Sequence, residues 1–273
     1  MVVSMLTGCS ISKVMRVEDR QVIPVETMLS ELHGSPLLFI GERHDTPSHH
    51  EVQLKVIESL KGEGQPVAIG MEMFETSSQG ELDQWSAGRL PELDFRGVFE
   101  RNWRNIGYPL YRDILVYARD KRLPVLALNP PREIVQKVAR SGFASLTEAE
   151  LGLLPKGIDA TVDDAYLQFI SSAYAFHGRN GDSFRYLCEA QMLRNRVMAR
   201  RLTDYLALHP GTVMVVLVGG GHARRQGGIP AEIEKVGYKI VLPTIPALTS
   251  KTVTRTDGDY LMEEPFSWLD IIF

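Results

Sequence analysis

The chain of 273 residues contains only two cysteines, Cys9 and Cys188. That scarcity excludes a disulfide scaffold, a four-cysteine zinc site and a cysteine-held iron–sulfur cluster. No apolar run reaches the ~18 residues that a membrane-crossing helix needs. Neither sign of charge dominates. Thirty Lys and Arg face 34 Asp and Glu for a net charge of -4, so the basic excess of a dedicated nucleic-acid binder is missing. Gly219-Gly220-Gly221 has neither dinucleotide-fingerprint spacing nor a Walker lysine behind it, which removes the usual marks of nucleotide binding. Internal repeats and low-complexity linkers are absent too.

What is present reads as an ordinary folded domain. Apolar residues make up 44% of the chain and charged residues 23%, close to the average for soluble proteins. A chain of this length buries a large core without help from disulfides or metals. Short, continuous apolar runs at 36–40, 66–70, 124–128 and 212–218 have the character of strands buried on both faces of a parallel sheet. A fifth run at 239–242 and an edge strand at 260–262 follow. Helical stretches lie between the runs. One starts at Thr46-Pro47 and another after Pro131; a long one spans 183–208, and a short one lies near 230–236. The fold class is therefore α/β: a mostly parallel sheet flanked by helices. The strand-poor stretch at about 141–208 is expected to form a small helical subdomain.

In open parallel sheets, ligands bind beyond the carboxyl ends of the strands. The four main runs end into Gly41-Glu42-Arg43-His44, Gly70-Met71-Glu72, Asn129-Pro130-Pro131 and Gly219-Gly220-Gly221-His222. Glu42, His44, Glu72, Asn129 and His222 are thus predicted to converge in one cleft. Two readings of that set stay open. Two imidazoles and two carboxylates suit a divalent metal bound by His44, His222, Glu42 and Glu72. Alternatively, Glu42, His44, Glu72 and His222 serve general acid–base hydrolysis, with Arg43 or Arg224 stabilising an oxyanion. The glycines of 219–221 are expected to let the backbone turn sharply and approach a ligand.

Other polar residues read as structural. His49 and His50 fall in one helical turn and point apart, so they are not expected to share a site. On the long helix, Phe184, Cys188, Gln191, Asn195, Met198 and Leu202 share one stripe. Gln191 and Asn195 are buried amides that need partners there. Arg194, Arg196, Arg200 and Arg201 read as a solvated basic face.

The first residues stand apart. Leu6-Thr7-Gly8-Cys9 has the form of a lipobox, with Cys9 as the lipidated residue. The segment before it is short and carries no Lys or Arg, so it reads as the remnant of a longer signal. Residues 1–20 are expected to be signal remnant and tether, 21–250 the α/β domain, and 251–273 a C-terminal tail.

The segments quoted so far carry a resemblance. Leu38-Phe39-Ile40-Gly41-Glu42-Arg43-His44-Asp45 with His49-His50 and Gln53, then Glu72-Met73-Phe74 and Leu126-Ala127-Leu128-Asn129, resemble the ChaN family. So do Glu189-Ala190-Gln191, Gly219-Gly220-Gly221-His222 and Gly228-Ile229-Pro230. That family comprises haem-binding, iron-regulated lipoproteins, grouped with the Tiki proteases and the erythromycin esterases. The resemblance implies haem bound near a surface, a possible homodimer, and a tyrosine on the iron, a ligand that favours the ferric state. No Cys-x-x-Cys-His motif is present, so such haem would be non-covalent. Tyr174 and Tyr166, near His177, are the first candidates for the haem site; Tyr108 and Tyr111 come next. The resemblance also implies iron acquisition by a protein anchored through lipid at the outer membrane or in the periplasm, or else a hydrolase like its relatives. One departure stands out: the long-helix motif usually carries an acidic residue where this chain has Asn195.

Overall fold

The computed structural model describes residues 11–104, 106–173, 181–245 and 248–263. Eight strands form one sheet in the order β2-β1-β8-β7-β3-β6-β4-β5. They are β1 (Lys13–Arg16), β2 (Gln21–Pro24), β3 (Leu37–Glu42), β4 (Val67–Glu75), β5 (Val125–Asn129), β6 (Val213–Gly219), β7 (Tyr238–Pro243) and β8 (Tyr260–Met262). From β8 to β5 every pairing is parallel. The β1–β2 hairpin adds antiparallel strands beyond β8. The helices are α1 (Val25–Leu32), α2 (Pro47–Gly62), α3 (Gln79–Ser86), α4 (Glu92–Asn102), α5 (Arg112–Asp120), α6 (Arg132–Ser141), α7 (Glu148–Leu151), α8 (Asp164–Ala173), α9 (Asp182–Leu208) and α10 (Gly220–Ala223).

Strand alternation splits the core into two layers. Leu38 and Ile40 of β3, Ile69 and Met71 of β4, and Val215 and Leu217 of β6 pack with α1 to α5, around Met28, Val56, Trp85, Phe95 and Leu115. Leu37, Phe39, Ala68, Met214, Val216 and Val218 point the other way, onto Met198, Ala199 and Leu202 of α9. Both faces are covered, so these strands are apolar at every position, as the sequence runs implied. A third cluster joins α6 to α9 through Ile134, Val138, Leu193 and Val197.

The structure departs from several sequence expectations. Residues 13–16, expected as part of a tether, form a strand paired with 21–24, and Ile11, Val14 and Met15 are buried. The hairpin is short and strongly charged, which hid its alternation. The strand at 260–262 is interior, between β7 and β1, rather than at the edge. The helix expected near 230–236 is a single 3₁₀ turn, Ile229–Glu232. Finally, β3 and β4 run past their apolar segments, so Glu42 and Glu72 are strand residues, buried within the sheet's rim rather than in following loops.

Candidate functional site

Glu42 is the hub of one half of the site. It has the parity of Leu38 and Ile40 and so faces α2 and α5. Its Oε1 accepts 2.6 Å from His44 Nδ1 and a short bond from the Tyr111 hydroxyl. Its Oε2 accepts 2.6 Å from Gln53 Nε2 and lies 3.2 Å from His50 Nδ1. Burial penalises this carboxylate's charge, but the bonds from His44 and His50 outweigh that and hold its pKa well below the usual range. Gln53 also donates to the Ile40 carbonyl, which turns its Oε1 toward His50 Nδ1 at 3.2 Å. His50 Nε2 meets the His44 carbonyl at 3.2 Å. Every ring nitrogen of His50 therefore faces an acceptor. Burial works against the imidazolium, yet the bond to Glu42 raises the His50 pKa. His50 thus joins the site. His49 does not: its Nδ1 accepts from the Arg43 backbone N–H at 3.0 Å.

Glu72 is the hub of the other half. It points toward α9, where Arg194 NH2 donates to Oε1 at 2.5 Å and the Gly219 N–H to Oε2 at 2.6 Å. Burial opposes its ionisation, but facing His222, Arg194 and His44 bring its pKa down to about 2. Asn129 braces this pair, donating to the Glu72 carbonyl at 2.8 Å and accepting from Arg194 Nε at 3.0 Å. Arg194 was expected on a solvated face. The amphipathic pattern of α9 misassigned it, because the helix buries two faces here: one against the sheet and one against α6. Of its companions, Arg196 pairs with Glu232, Arg201 reaches the Ala127 carbonyl, and Arg200 pairs with Asp204 at the surface.

Two imidazoles face Glu72 Oε1, His44 Nε2 at 4.0 Å and His222 Nε2 at 3.8 Å. Each is oriented from behind through Nδ1, His44 by Glu42 and His222 by Asn195 Oδ1 at 2.6 Å. Asn195 Nδ2 donates to the Gly227 carbonyl at 2.9 Å. Its Oδ1 is therefore the acceptor, and His222 carries its proton on Nδ1. Burial lowers the His222 pKa to about 4, so the ring is neutral with the Nε2 lone pair toward Glu72. At His44, burial also disfavours charge, but the Glu42 bond prevails and raises the pKa. Gly219 makes this proximity possible, since a Cβ there would lie 3.0 Å from His44 Nε2. At Gly220 a Cβ would strike Pro243 Cγ at 2.7 Å. These glycines admit protein groups, where the sequence suggested a ligand.

Above this polar floor opens a cavity of about 370 Å³. Tyr166 and Ile170 of α8, Leu187 and Cys188 of α9, and Ile245 form its apolar wall. The Cys188 thiol is buried and pushed up to about 11 by that burial, so it is inert packing. Tyr174 and His177 lie outside the described residues. Tyr111 is wholly buried against Glu42 and Tyr108 is 3% exposed, so neither reaches a ligand. Arg43 does not line the cavity; its guanidinium is at the surface near Asp45. Arg224 is paired with Asp257 at 2.5 Å. Neither is the expected oxyanion group. Cys9 also falls outside the described residues.

The expected metal set is not assembled. Among the described residues no group of three or more His, Cys, Asp or Glu side chains is arranged to hold a metal ion. The guanidinium of Arg194 already occupies the one Glu72 oxygen that faces both imidazoles, and Glu42 is saturated by protein donors.

The family model described as haem-binding uptake, Tiki superfamily, ChaN, matches residues 28–233. No curated protein matches the sequence significantly. Among solved structures, ChaN of Campylobacter jejuni, described for its cofacial haem binding, is 17% identical with a TM-score of 0.69, over 91% of this chain and 95% of that one. The type III effector HopBA1 is 12% identical with a TM-score of 0.53, over 87% and 91%. Erythromycin esterase EreC in its open conformation is 14% identical with a TM-score of 0.49, over 85% and 76%.

Proposed function

The chain belongs to the ChaN family of haem-binding uptake proteins, in the Tiki superfamily, and from that membership we propose that it binds haem non-covalently and serves iron acquisition. The family match over residues 28–233 carries the proposal. The cavity wall fits the group. A flat tetrapyrrole needs an apolar surface and the iron needs a ligand, and Tyr166, Ile170, Leu187 and Ile245 supply both beside the cleft. Bound haem would supply ferric iron, which a tyrosinate favours. The cavity is too small to enclose a tetrapyrrole, which favours binding at its mouth and a second copy of the chain as the cover. Titrating the protein with haemin should give a saturable Soret band that weakens in Tyr166→Phe and persists in Tyr111→Phe. Absence of any band ends the haem reading.

The same proposal includes a lipid on Cys9, and with it a place at the outer membrane or in the periplasm. β1 starts at the carboxyl edge of the parallel strands, because Val14 pairs with Met262 and Met262 with Pro243. A lipid just before it would hold the domain by the edge that carries the cleft. Cys9→Ser should move the protein from the membrane fraction to the soluble one; an unchanged distribution sinks the anchor.

A second reading rests on a separate observation, the two Nε2 atoms converging on Glu72. Neutral His222 can accept a proton from water, and protonated His44 can return one to a leaving group. Hydrolase screening of the wild type and a His44→Ala/His222→Ala double variant decides it. An activity that the double variant lacks supports hydrolysis; identical profiles exclude it.

A further inference from the structure

Asn195 orients the His222 ring, but what holds Asn195 and the backbone under His222 lies further along the chain. His222 belongs to α10, which is four residues long and too short to keep its own shape. The chain then folds back on itself. A Cβ on Gly228 would lie 2.3 Å from the Arg224 carbonyl oxygen and 2.6 Å from that of His222. The turn from 224 to 228 is therefore packed backbone on backbone, and its two ends must move together.

Both ends are tied. At the far end, the Gly227 carbonyl receives Asn195 Nδ2 at 2.9 Å. At the near end, Arg224 NH2 donates to Asp257 Oδ1 at 2.5 Å, with both side chains buried. The Arg225 backbone N–H donates to the Asp257 carbonyl at 2.8 Å. Asp257 is itself set by Thr254, whose backbone N–H and hydroxyl both donate to Oδ2 at 2.9 Å. Separating a buried carboxylate from its buried guanidinium leaves an uncompensated charge, so such a pair fixes what it joins.

We infer that Asp257 is a positioning residue for His222: by clamping Arg224 and Arg225 it holds the Gly227 carbonyl against Asn195 and so keeps the His222 proton on Nδ1. An amide has a donor end and an acceptor end. With Gly227 in place, the donor end is used and Oδ1 is left for the ring. Without it, the amide can turn over and offer Nδ2 instead. His222 then accepts at Nδ1, carries its proton on Nε2, and loses the lone pair aimed at Glu72. Glu72 Oε1, 3.8 Å away, would attract that Nε2 proton, so the observed tautomer has to be held from behind. Asp257 does this without lining the cleft and from outside the family-matched residues 28–233. Its consequence for catalysis rests on the acid–base reading of the His44–His222 pair; the positioning itself does not.

The test reads the imidazole nitrogen resonances of the full chain, labelled in histidine, above pH 7. In the wild type, His222 should show a protonated Nδ1. Asp257→Asn keeps the side chain's shape and removes the charge that holds Arg224. In that variant the His222 Nδ1 resonance should move toward the unprotonated position, while His44, anchored by Glu42, keeps its own pattern. A folded variant with an unchanged His222 tautomer overturns the inference and leaves Asp257 a purely stabilising role. Equal changes at both imidazoles overturn it too, since they would mean general loosening of the cleft. If Asp257→Asn does not fold, amide exchange in the wild type decides. The Arg225 amide should then be as protected as that of Gly219 in β6; exchange as fast as at the exposed Arg255 and Thr256 means that nothing is clamped. A tautomer switch in Asp257→Asn, with identical hydrolase profiles for the wild type and His44→Ala/His222→Ala, removes the hydrolytic reading and leaves the positioning role standing.

Discussion

The two halves of the cleft floor use one design with opposite electrostatic outcomes. His44 and His222 point their Nε2 atoms at the same oxygen of Glu72, from 4.0 and 3.8 Å. Each is anchored through Nδ1 at the same length, 2.6 Å. Behind His44 is a carboxylate that also holds Gln53, Tyr111 and His50; behind His222 is an amide held by the Gly227 carbonyl. An amide fixes orientation and tautomer but adds no charge. Burial therefore prevails at His222 and lowers its pKa to about 4, whereas Glu42 overcomes burial at His44 and raises it. His44 thus holds its second proton to higher pH than an ordinary imidazole, and His222 loses its own near 4 and presents Nε2 as an acceptor. That asymmetry is what acid–base work requires of a pair.

Removing the hub of the charged half should have the largest effect. Glu42→Ala leaves His50, Gln53, Tyr111 and His44 without their shared acceptor inside the protein. A loss of about 3–5 kcal/mol is expected, as when one partner of a buried charged pair is removed. Denaturant unfolding measures it. A loss below about 1 kcal/mol would mean that the network contributes little and the two halves differ less than their geometry says.

Stability should also depend on pH with opposite slopes from the two histidines. His222 falls from its ordinary 6.5 to about 4 in the folded protein. Between those values the unfolded state binds more protons, so stability drops as pH falls through this window. The drop is about 3 kcal/mol at most. His49, also lowered to about 4 by burial, adds in the same direction. For His44 and His50 the folded pKa is raised. Their contribution is complete below 6.5 and is lost as pH rises through their folded values. Glu42 and Glu72, both depressed, contribute above the ordinary carboxylate value of 4.5 and lose that only as pH falls below it. Stability should therefore peak near pH 6.5. His222→Gln should flatten the acidic side and leave the alkaline side unchanged; an unaltered acidic side contradicts the assignment of His222 as neutral.

Asn195 is the residue that sets the two halves apart, since it gives His222 an uncharged Nδ1 partner where His44 has a carboxylate. Asn195→Asp would give His222 the kind of partner that His44 has. Its pKa, read from the imidazole proton resonances, should rise by about one to three pH units, and that of His44 should stay within a few tenths. If His222 does not move, burial rather than its Nδ1 partner sets its state.

How much of this was legible beforehand follows from what each residue answers to. Apolar runs flanked by glycine or proline gave the main strands, because a strand buried on both faces is apolar at every position. The rule for carboxyl ends brought Glu42, His44, Glu72, Asn129 and His222 to one edge. Residues arriving from elsewhere were not recoverable. Arg194 and Asn195 are adjacent on α9, yet they serve different partners on facing elements, and a helical-face argument cannot separate them. His50 and Gln53 gave a usable signal: two polar residues spaced i, i+3 on the buried side of α2, which needed a polar partner in β3. Tyr111 is far from Glu42 in sequence and its spacing announces nothing.

The smallest expected effect is the most discriminating for the charged half. Tyr111→Phe deletes one donor to Glu42 and keeps the ring packed against His50, at 4.4 Å between centroids, and against Phe99, at 5.3 Å. No cavity forms, so the loss is that of one hydrogen bond to a charged acceptor, about 1.5 kcal/mol. Glu42, relieved of a donor, becomes a stronger acceptor for His44, and the His44 pKa should rise further. His222, whose anchor is Asn195, should not respond. A matched shift in both imidazoles would mean that they titrate as one system through Glu72. A shift confined to His44 would show that each half is governed from behind, by the residue on its Nδ1.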